Sequence, residues 1–175
     1  MKNYILSILL ALNVFNIKSQ TCTLYTTGDY ISSSLINDLY QDSEGFIWAT
    51  TEYGLNSFDS NKFTVFTHSD ADSTSICNSY SRVVFEDSRK NFFVGTLTGL
   101  TLFNKEENNF RNIPLYINKN IINPHISSIT ETAGNEIWVS TSNRGIFKLD
   151  KNHGRGTCIS SIYNAGLKKH QYAIE

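Results

Sequence analysis

One interval constrains this chain more than any other feature: Trp48, Phe93 and Trp138 stand 45 residues apart. Three residues after each ring comes a threonine, Thr51, Thr96 and Thr141. Gly54, Gly99 and Gly145 follow, the last delayed by one residue, each succeeded by an aliphatic side chain, Leu55, Leu100 or Ile146. Upstream, Leu39, Val84 and Ile129 keep the interval, and three residues past them stand Asp42, Asp87 and Thr132. Downstream come Phe58, Phe103 and Leu149, with Asp59, Asn104 and Asp150 directly behind. Self-similarity at this period marks a repeat architecture, in which each unit buries its apolar faces against its neighbours.

Within a unit the pattern is one of short strands separated by turn chemistry. Leu35 to Gln41 is followed by the turn Asp42-Ser43-Glu44-Gly45, then Phe46 to Thr51, then Glu52-Tyr53-Gly54, then Leu55 to Asp59 and Phe63 to His68. Four strands in a unit of this size make one blade of a β-propeller. Alternation puts Phe46 and Trp48 on one face and Ile47 on the other, so both faces are apolar, as a sheet sandwiched between neighbours requires. Gly45 and Gly54 suit turn positions with positive φ. The second repeat has Lys90 where the first has Gly45, and Asn91 is the residue expected to take the left-handed conformation there. The reading is all-β: a partial propeller over residues 20–152, with about three four-stranded antiparallel blades near 30–68, 78–115 and 123–152 in an incomplete ring. Residues 153–175 read as an irregular tail or the start of a further blade.

Aromatics make up 13% of the 175 residues and charged residues 18%, the latter below the roughly 25% of an ordinary soluble domain. A formal charge of −1 excludes nucleic-acid binding by bulk electrostatics. The first residues stand apart. Met1 to Asn3 form a short basic start, Tyr4 to Ile17 is mostly apolar and uncharged, and Lys18, Ser19 and Gln20 make a small polar exit. This is the pattern of a secretory signal over residues 1–19. The apolar run is shorter than the roughly 18–20 residues of a membrane span, so the mature chain is expected to have no span and to lie in the periplasm. Cys22 lacks the preceding residues of a lipidation signal. Cys22, Cys77 and Cys158 show neither a disulfide framework nor metal spacing and read as isolated small hydrophobes.

No constellation of catalytic groups emerges. His68, His125, His153 and His170 fall in different units without paired metal spacing and read as lone loop histidines. Asp70, Asp72 and Ser73 resemble part of a calcium loop, but the glycine hinge and distal Glu are missing, so a solvated loop is the expectation. Asp42, Asp59, Asp87 and Asp150 occupy turns where an aspartate caps its own backbone two residues on. Gly154-Arg155-Gly156 is too short for a phosphate loop and reads as flexible tail, and Lys105 to Arg111 reads as a solvated mixed-charge hairpin tip. Tyr53, Tyr80, Tyr116 and Arg144 sit at predicted turns or loops where sugar stacking is chemically feasible, yet nothing distinguishes them from packing residues. No catalytic, cofactor-binding, metal-binding or ligand-binding residue is therefore assigned.

The stretch Ile36 to Asp59 is similar to the two-component regulator propeller repeat, as is Arg82 to Ser88 continuing through Gly99 to Phe103. Phe63 to His68 followed by Ser69 to Asn78 resembles the loop between the first two blades in that family. The resemblance covers about residues 25–152. It implies the amino-terminal, extracytoplasmic sensor region of a hybrid two-component system histidine kinase, sensing a glycan or oligosaccharide and having no catalysis or cofactor of its own in this segment. The sandwich, membrane, kinase and regulator parts are not among these residues, so the chain reads as an amino-terminal fragment. Two further readings stand beside it: a secreted carbohydrate-binding propeller without signalling, and the edge of a propeller glycosidase. Cys22 to Thr26 is expected to be the strand that closes a complete ring. The outer flanks of a three-blade wedge are expected to seek the missing blades of the same receptor or a second copy of the chain.

Overall fold

The computed structural model describes residues 23–29 and 31–160. The first sheet is β1 (Ile36–Gln41), β2 (Ile47–Thr51), β3 (Leu55–Phe58) and β4 (Phe63–Phe66), paired in sequence order and antiparallel throughout. The second repeats it with β5 (Ser81–Glu86), β6 (Phe92–Thr96), β7 (Gly99–Asn104) and β8 (Asn109–Ile113). After a short hairpin, β9 (Leu115–Ile117) and β10 (Asn120–Ile122), come β11 (Ile126–Glu131), β12 (Ile137–Thr141), β13 (Gly145–Leu149) and β14 (Gly156–Ser160). The first strands of adjacent sheets face one another, β1 against β5 and β5 against β11, as blades do around a common axis. The fold is a partial β-propeller of three blades, with no helix long and apolar enough to cross a membrane among the described residues.

The repeat seen in sequence is a repeat of register. Trp48 lies between Tyr40 and Ser57, Phe93 between Phe85 and Leu102, and Trp138 between Thr130 and Lys148. Each first strand carries its register shift at the same place, between Ile36 and Asp38, Ser81 and Val83, and Ile126 and Ser128. Strand alternation then sends neighbouring side chains to opposite cores. Phe92 packs with Trp48, Leu55, Ile76 and Phe103 between the first two sheets, whereas Phe93 packs with Ile126, Ile137, Val139 and Phe147 between the second and third.

The periodic threonines close the turn between the second and third strands. Thr51, Thr96 and Thr141 donate to the carbonyls of Gly54, Gly99 and Gly145 at 2.9, 3.0 and 2.8 Å. Each hydroxyl also accepts a turn amide, from Tyr53, Thr98 and Arg144 respectively. The periodic aspartates cap the turns as expected: Asp42 Oδ1 accepts the amides of Glu44 and Phe46, and Asp87 Oδ1 those of Arg89 and Asn91. Asp59 accepts the amides of Asn61 and Lys62, and Asp150 that of Gly154.

Several expectations are corrected. Lys90, not Asn91, takes positive φ (66°) in the second turn, because it holds the turn position of Gly45 (φ 94°), its amide donating to the Asp87 carbonyl as that of Gly45 does to Asp42; Asn91 gives its side-chain amide to Asp87 Oδ2 at 2.8 Å. The third sheet does not stop at 152. Gly156 opens β14, which pairs antiparallel with β13 and parallel with β9, giving the order β10-β9-β14-β13-β12-β11. Gly154-Arg155-Gly156 is thus the end of a hairpin and the start of a strand, not tail. A Cβ on Gly156 would run into Leu115 Cδ2 and lie 3.0 Å from Leu149 Cδ2, so glycine leaves the room that the Leu115 side chain of β9 takes against β14. Leu115, assigned to the second blade, belongs to the third sheet. Thr23 to Thr26 is not a strand; Tyr25 instead sets its ring against Phe58 and Phe63 at 5.1 and 5.4 Å. The signal segment, Cys22, His170 and the rest of 161–175 lie outside the described residues.

Candidate functional site: a cleft at the seam of the first two blades

The turn that joins β1 to β2 is wound around one carboxylate. While Asp42 Oδ1 holds the turn, Oδ2 accepts the indole N–H of Trp48 at 2.9 Å and the Lys105 ammonium at 3.1 Å. Lys105 comes from the β7–β8 hairpin of the next blade and also meets Glu86 at 3.0 Å and Glu44 at 3.4 Å. Glu86, at the end of β5, closes the seam by accepting the backbone amide of Ser43 at 2.7 Å and its hydroxyl at 3.2 Å. Glu131 does the same for Ser88 at 2.8 and 2.7 Å, so each blade clamps the turn of the one before it.

Burial works against the charged form of both Asp42 and Lys105, and in both it is outweighed. Asp42 is held below its ordinary value by the hydrogen bonds from Trp48 and Lys105 and by the Lys105 charge. Lys105 is held above its ordinary value by its hydrogen bonds to Glu86 and Asp42. Asp42 and Lys105 are thus kept ionised, which matters because the Asp42 side chain is nearly shut off from water, only 1% exposed. A charge so placed is tolerable only when paired.

Beside this cluster opens a cleft of about 230 Å³, lined by Phe46, Trp48 and Phe66, by Ser57 and Thr64, and by Asp42, Glu44 and Lys105 at its rim. Trp48 and Phe66 stack at 6.0 Å with an interplanar angle of 23°, and Phe103 stands edge-on to Phe66 at 5.4 Å. Aromatic walls, hydroxyls and charged groups converging on a concavity are what a small polar ligand with an apolar face requires.

The residues singled out in the sequence lie elsewhere. Tyr53 is exposed on the β2–β3 turn. The Tyr80 hydroxyl is 3.5 Å from Glu52, and the Arg82 guanidinium lies over the Tyr80 ring, 6.0 Å from its centroid. Tyr116 pairs within the β9–β10 hairpin and Arg144 sits in the β12–β13 turn. None of the four lines the cleft. Asp70 and Asp72 fold their own loop, Asp70 against His68 at 3.0 Å and Asp72 against Thr74. Cys77 and Cys158 are free thiols.

Two readings need revision here. Lys105 to Arg111 is not merely a solvated tip, since Lys105 anchors the seam and Arg111 donates to the carbonyl of His153 at 3.2 Å. His153 is not a loop histidine in water: it is buried, with its ring edge-on to Phe93 at 5.1 Å. The clamps were detectable in principle, because Glu86 and Glu131, and Ser43 and Ser88, keep the same interval as the rings.

The sequence profile of the two component regulator propeller matches residues 30–53. The fold resembles the extracellular domain of the hybrid two component system BT3049 of B. thetaiotaomicron, at 30% identity and a TM-score of 0.61, covering 70% of this chain and 18% of that one. It also resembles the extracellular domain of BT4673 of the same bacterium, described as a one component system, at 19% identity and a TM-score of 0.66, covering 83% of this chain and 22% of that one. A further structure of BT4673, described as a hybrid two component system, aligns at 20% identity with a TM-score of 0.63, over 74% of this chain and 19% of that one. The chain thus spans about a fifth of these structures. No curated protein sequence matches it.

Proposed function

For this chain, which is a two component regulator propeller, we propose a role as the opening blades of an extracytoplasmic sensor domain that reads an oligosaccharide and passes the signal to a kinase. The observation that carries this reading is the 30% identity to the extracellular domain of a hybrid two component system over 70% of the chain. The aromatic and hydroxyl lining of the seam cleft is chemistry suited to a sugar ring. Periplasmic placement, directed by residues 1–19, belongs to the same proposal. The reading places catalysis outside this chain: its ionised side chains hold turns and seams together rather than converge on a reacting position.

The test is genetic and direct. Deleting the gene in its host and measuring transcription on a panel of oligosaccharides is expected to abolish induction of the genes for one glycan. Unchanged induction on every glycan, together with no calorimetric binding of any of them by the purified chain, overturns the reading.

A further inference from the structure

The protein contains the same seam twice, once closed and once open. Ser57 and Thr64 in the first sheet correspond by register to Leu102 and Arg111 in the second, since Trp48 faces Ser57 and Ser57 faces Thr64, while Phe93 faces Leu102 and Leu102 faces Arg111. Asp42 corresponds to Asp87. At the second seam the chain fills the space itself. The His153 ring lies edge-on to Phe93, its Nε2 3.9 Å from Asp87 Oδ2 and 3.5 Å from a guanidinium nitrogen of Arg89, and Arg111 reaches across to its carbonyl. At the first seam two small hydroxyl side chains stand in place of Leu102 and Arg111, and the cleft against Trp48 remains open.

What fills the closed seam is a nitrogen-bearing ring with a guanidinium beside it; at the open seam Lys105 meets Asp42 Oδ2 as His153 meets Asp87 Oδ2, and carboxylates still outnumber it. Asp42, Glu44 and Glu86 bring three carboxylates to the single ammonium of Lys105, a surplus of two negative charges. Asp42 and Glu86 are occupied by the turn and the clamp; Glu44, half exposed at the rim, is the carboxylate with room for another partner. Aromatic faces add attraction for a cation, and a hydroxyl-bearing ring finds Ser57 and Thr64 within the same wall. An anionic ligand would meet like charge.

We propose that the seam cleft binds a protonated amine carried on a small ring, a 2-amino sugar, with its ammonium on Glu44 and its apolar face on Phe46 and Phe66. The sugar part of this assignment rests on the sensor reading above; the amine part rests on the charge balance and on the filled second seam.

The chain has two tryptophans, so Trp138→Phe leaves Trp48, in the cleft wall, as the sole indole reporter. In that variant, glucosamine is expected to change Trp48 emission at roughly tenfold lower concentration than glucose, through its added charge and cation–aromatic attraction, and glucuronate is expected to be silent. Ser57→Leu, which imports the closed seam's residue, is expected to abolish the response, and the surface change Glu44→Gln to remove the preference for the amine. Equal responses to glucose and glucosamine, or a preference that survives Glu44→Gln, overturn the inference. Glycan binding that leaves Trp48 emission unchanged also overturns it, while the sensor reading stands. A selective amine response without any glycan-dependent gene induction supports the cleft assignment and removes the sensor reading instead.

Discussion

Thr51, Thr96 and Thr141 recur because one hydroxyl does two jobs in a turn that must be narrow: it donates to a glycine carbonyl and accepts a turn amide. Valine has the same shape without the hydroxyl, so Thr96→Val isolates the polar function. Thr96 is fully buried, and Thr96→Val removes both the hydroxyl donor to the Gly99 carbonyl and the acceptor of the Thr98 amide. A cost of about 1–3 kcal/mol is expected for leaving such a group unpaired. Urea unfolding should show it as a lower midpoint with an unchanged slope; a midpoint equal to that of the parent chain removes the threonine from the turn's energetics. Gly95, where the other two repeats have Thr50 and Ser140, has a steric reason of its own: a Cβ there would lie 2.6 Å from Ile126 Cγ2 and from Val83 Cγ1, so the Ile126 side chain of the third blade packs directly on the backbone of the second.

At the scale of elements, the strands and their turns were legible because they carry period and turn chemistry together. Trp48, Phe93 and Trp138 mark equivalent strands, and the aspartate turns behave as local chemistry dictates. The β9–β10 hairpin and β14 were not legible. Strands of three residues such as Leu115–Ile117 and Asn120–Ile122 show no periodicity, and the parallel pairing of β14 with β9 is a tertiary contact without a local sequence signal. The cleft was hidden for a related reason: it arises from the difference between Ser57 and Leu102 and between Thr64 and Arg111, and a repeat is recognised by its similarities.

The hairpin between β13 and β14 has a consequence for pH dependence. It carries His153 into the second seam, where burial disfavours the imidazolium, Asp87 and Asp150 favour it, and Arg89 and Arg111 disfavour it, the net effect being a value below the ordinary 6.5. Below that pH an unfolded chain takes up a proton that the folded chain refuses, so stability falls as pH drops. His68 acts oppositely: the Ile76 carbonyl and Asp70 raise it, so its contribution is present in acid and is lost as pH rises through its folded value. In a His68→Gln background, the unfolding free energy is therefore expected to decline from pH about 7 to about 5, and a further His153→Asn change, which asparagine's tolerance of positive φ permits, to make that decline shallower, the remainder coming from His125, which burial and the Arg82 charge also lower. A profile identical with and without His153 contradicts its placement in the seam.

At the scale of the molecule, what distinguishes the first blade is a face the other two bury. Leu39 is 66% exposed, whereas its counterparts Val84 and Ile129 are 4% and 6% exposed. Ile36 is exposed where Ser81 and Ile126 are fully buried, and Leu35 is exposed beside it. Among the described residues no sheet covers this face. The surface that covers its counterparts at both internal seams is the flank of a preceding blade, and the equivalent flank of the third sheet is present on every copy of the chain. The polar residues at these two outer faces are matched in what they lack. Gln41 stands where Glu86 and Glu131 carry a charge, and Ala133 where Ser43 and Ser88 carry a hydroxyl, so the third blade's turn still offers an amide N–H to the Gln41 carboxamide. Where a later blade of the same receptor is not there to cover it, we propose that a second copy, seated by its third sheet, is the occupant. Burying a leucine contributes about 1.5–3 kcal/mol, so sedimentation should show concentration-dependent association that Leu39→Glu weakens by roughly tenfold or more. The circular dichroism of that variant should stay unchanged, because Leu39 contributes little to the blade's own core. A chain that sediments as a monomer throughout the micromolar range, or that associates equally well with Glu at position 39, would show that this face is not where two copies meet.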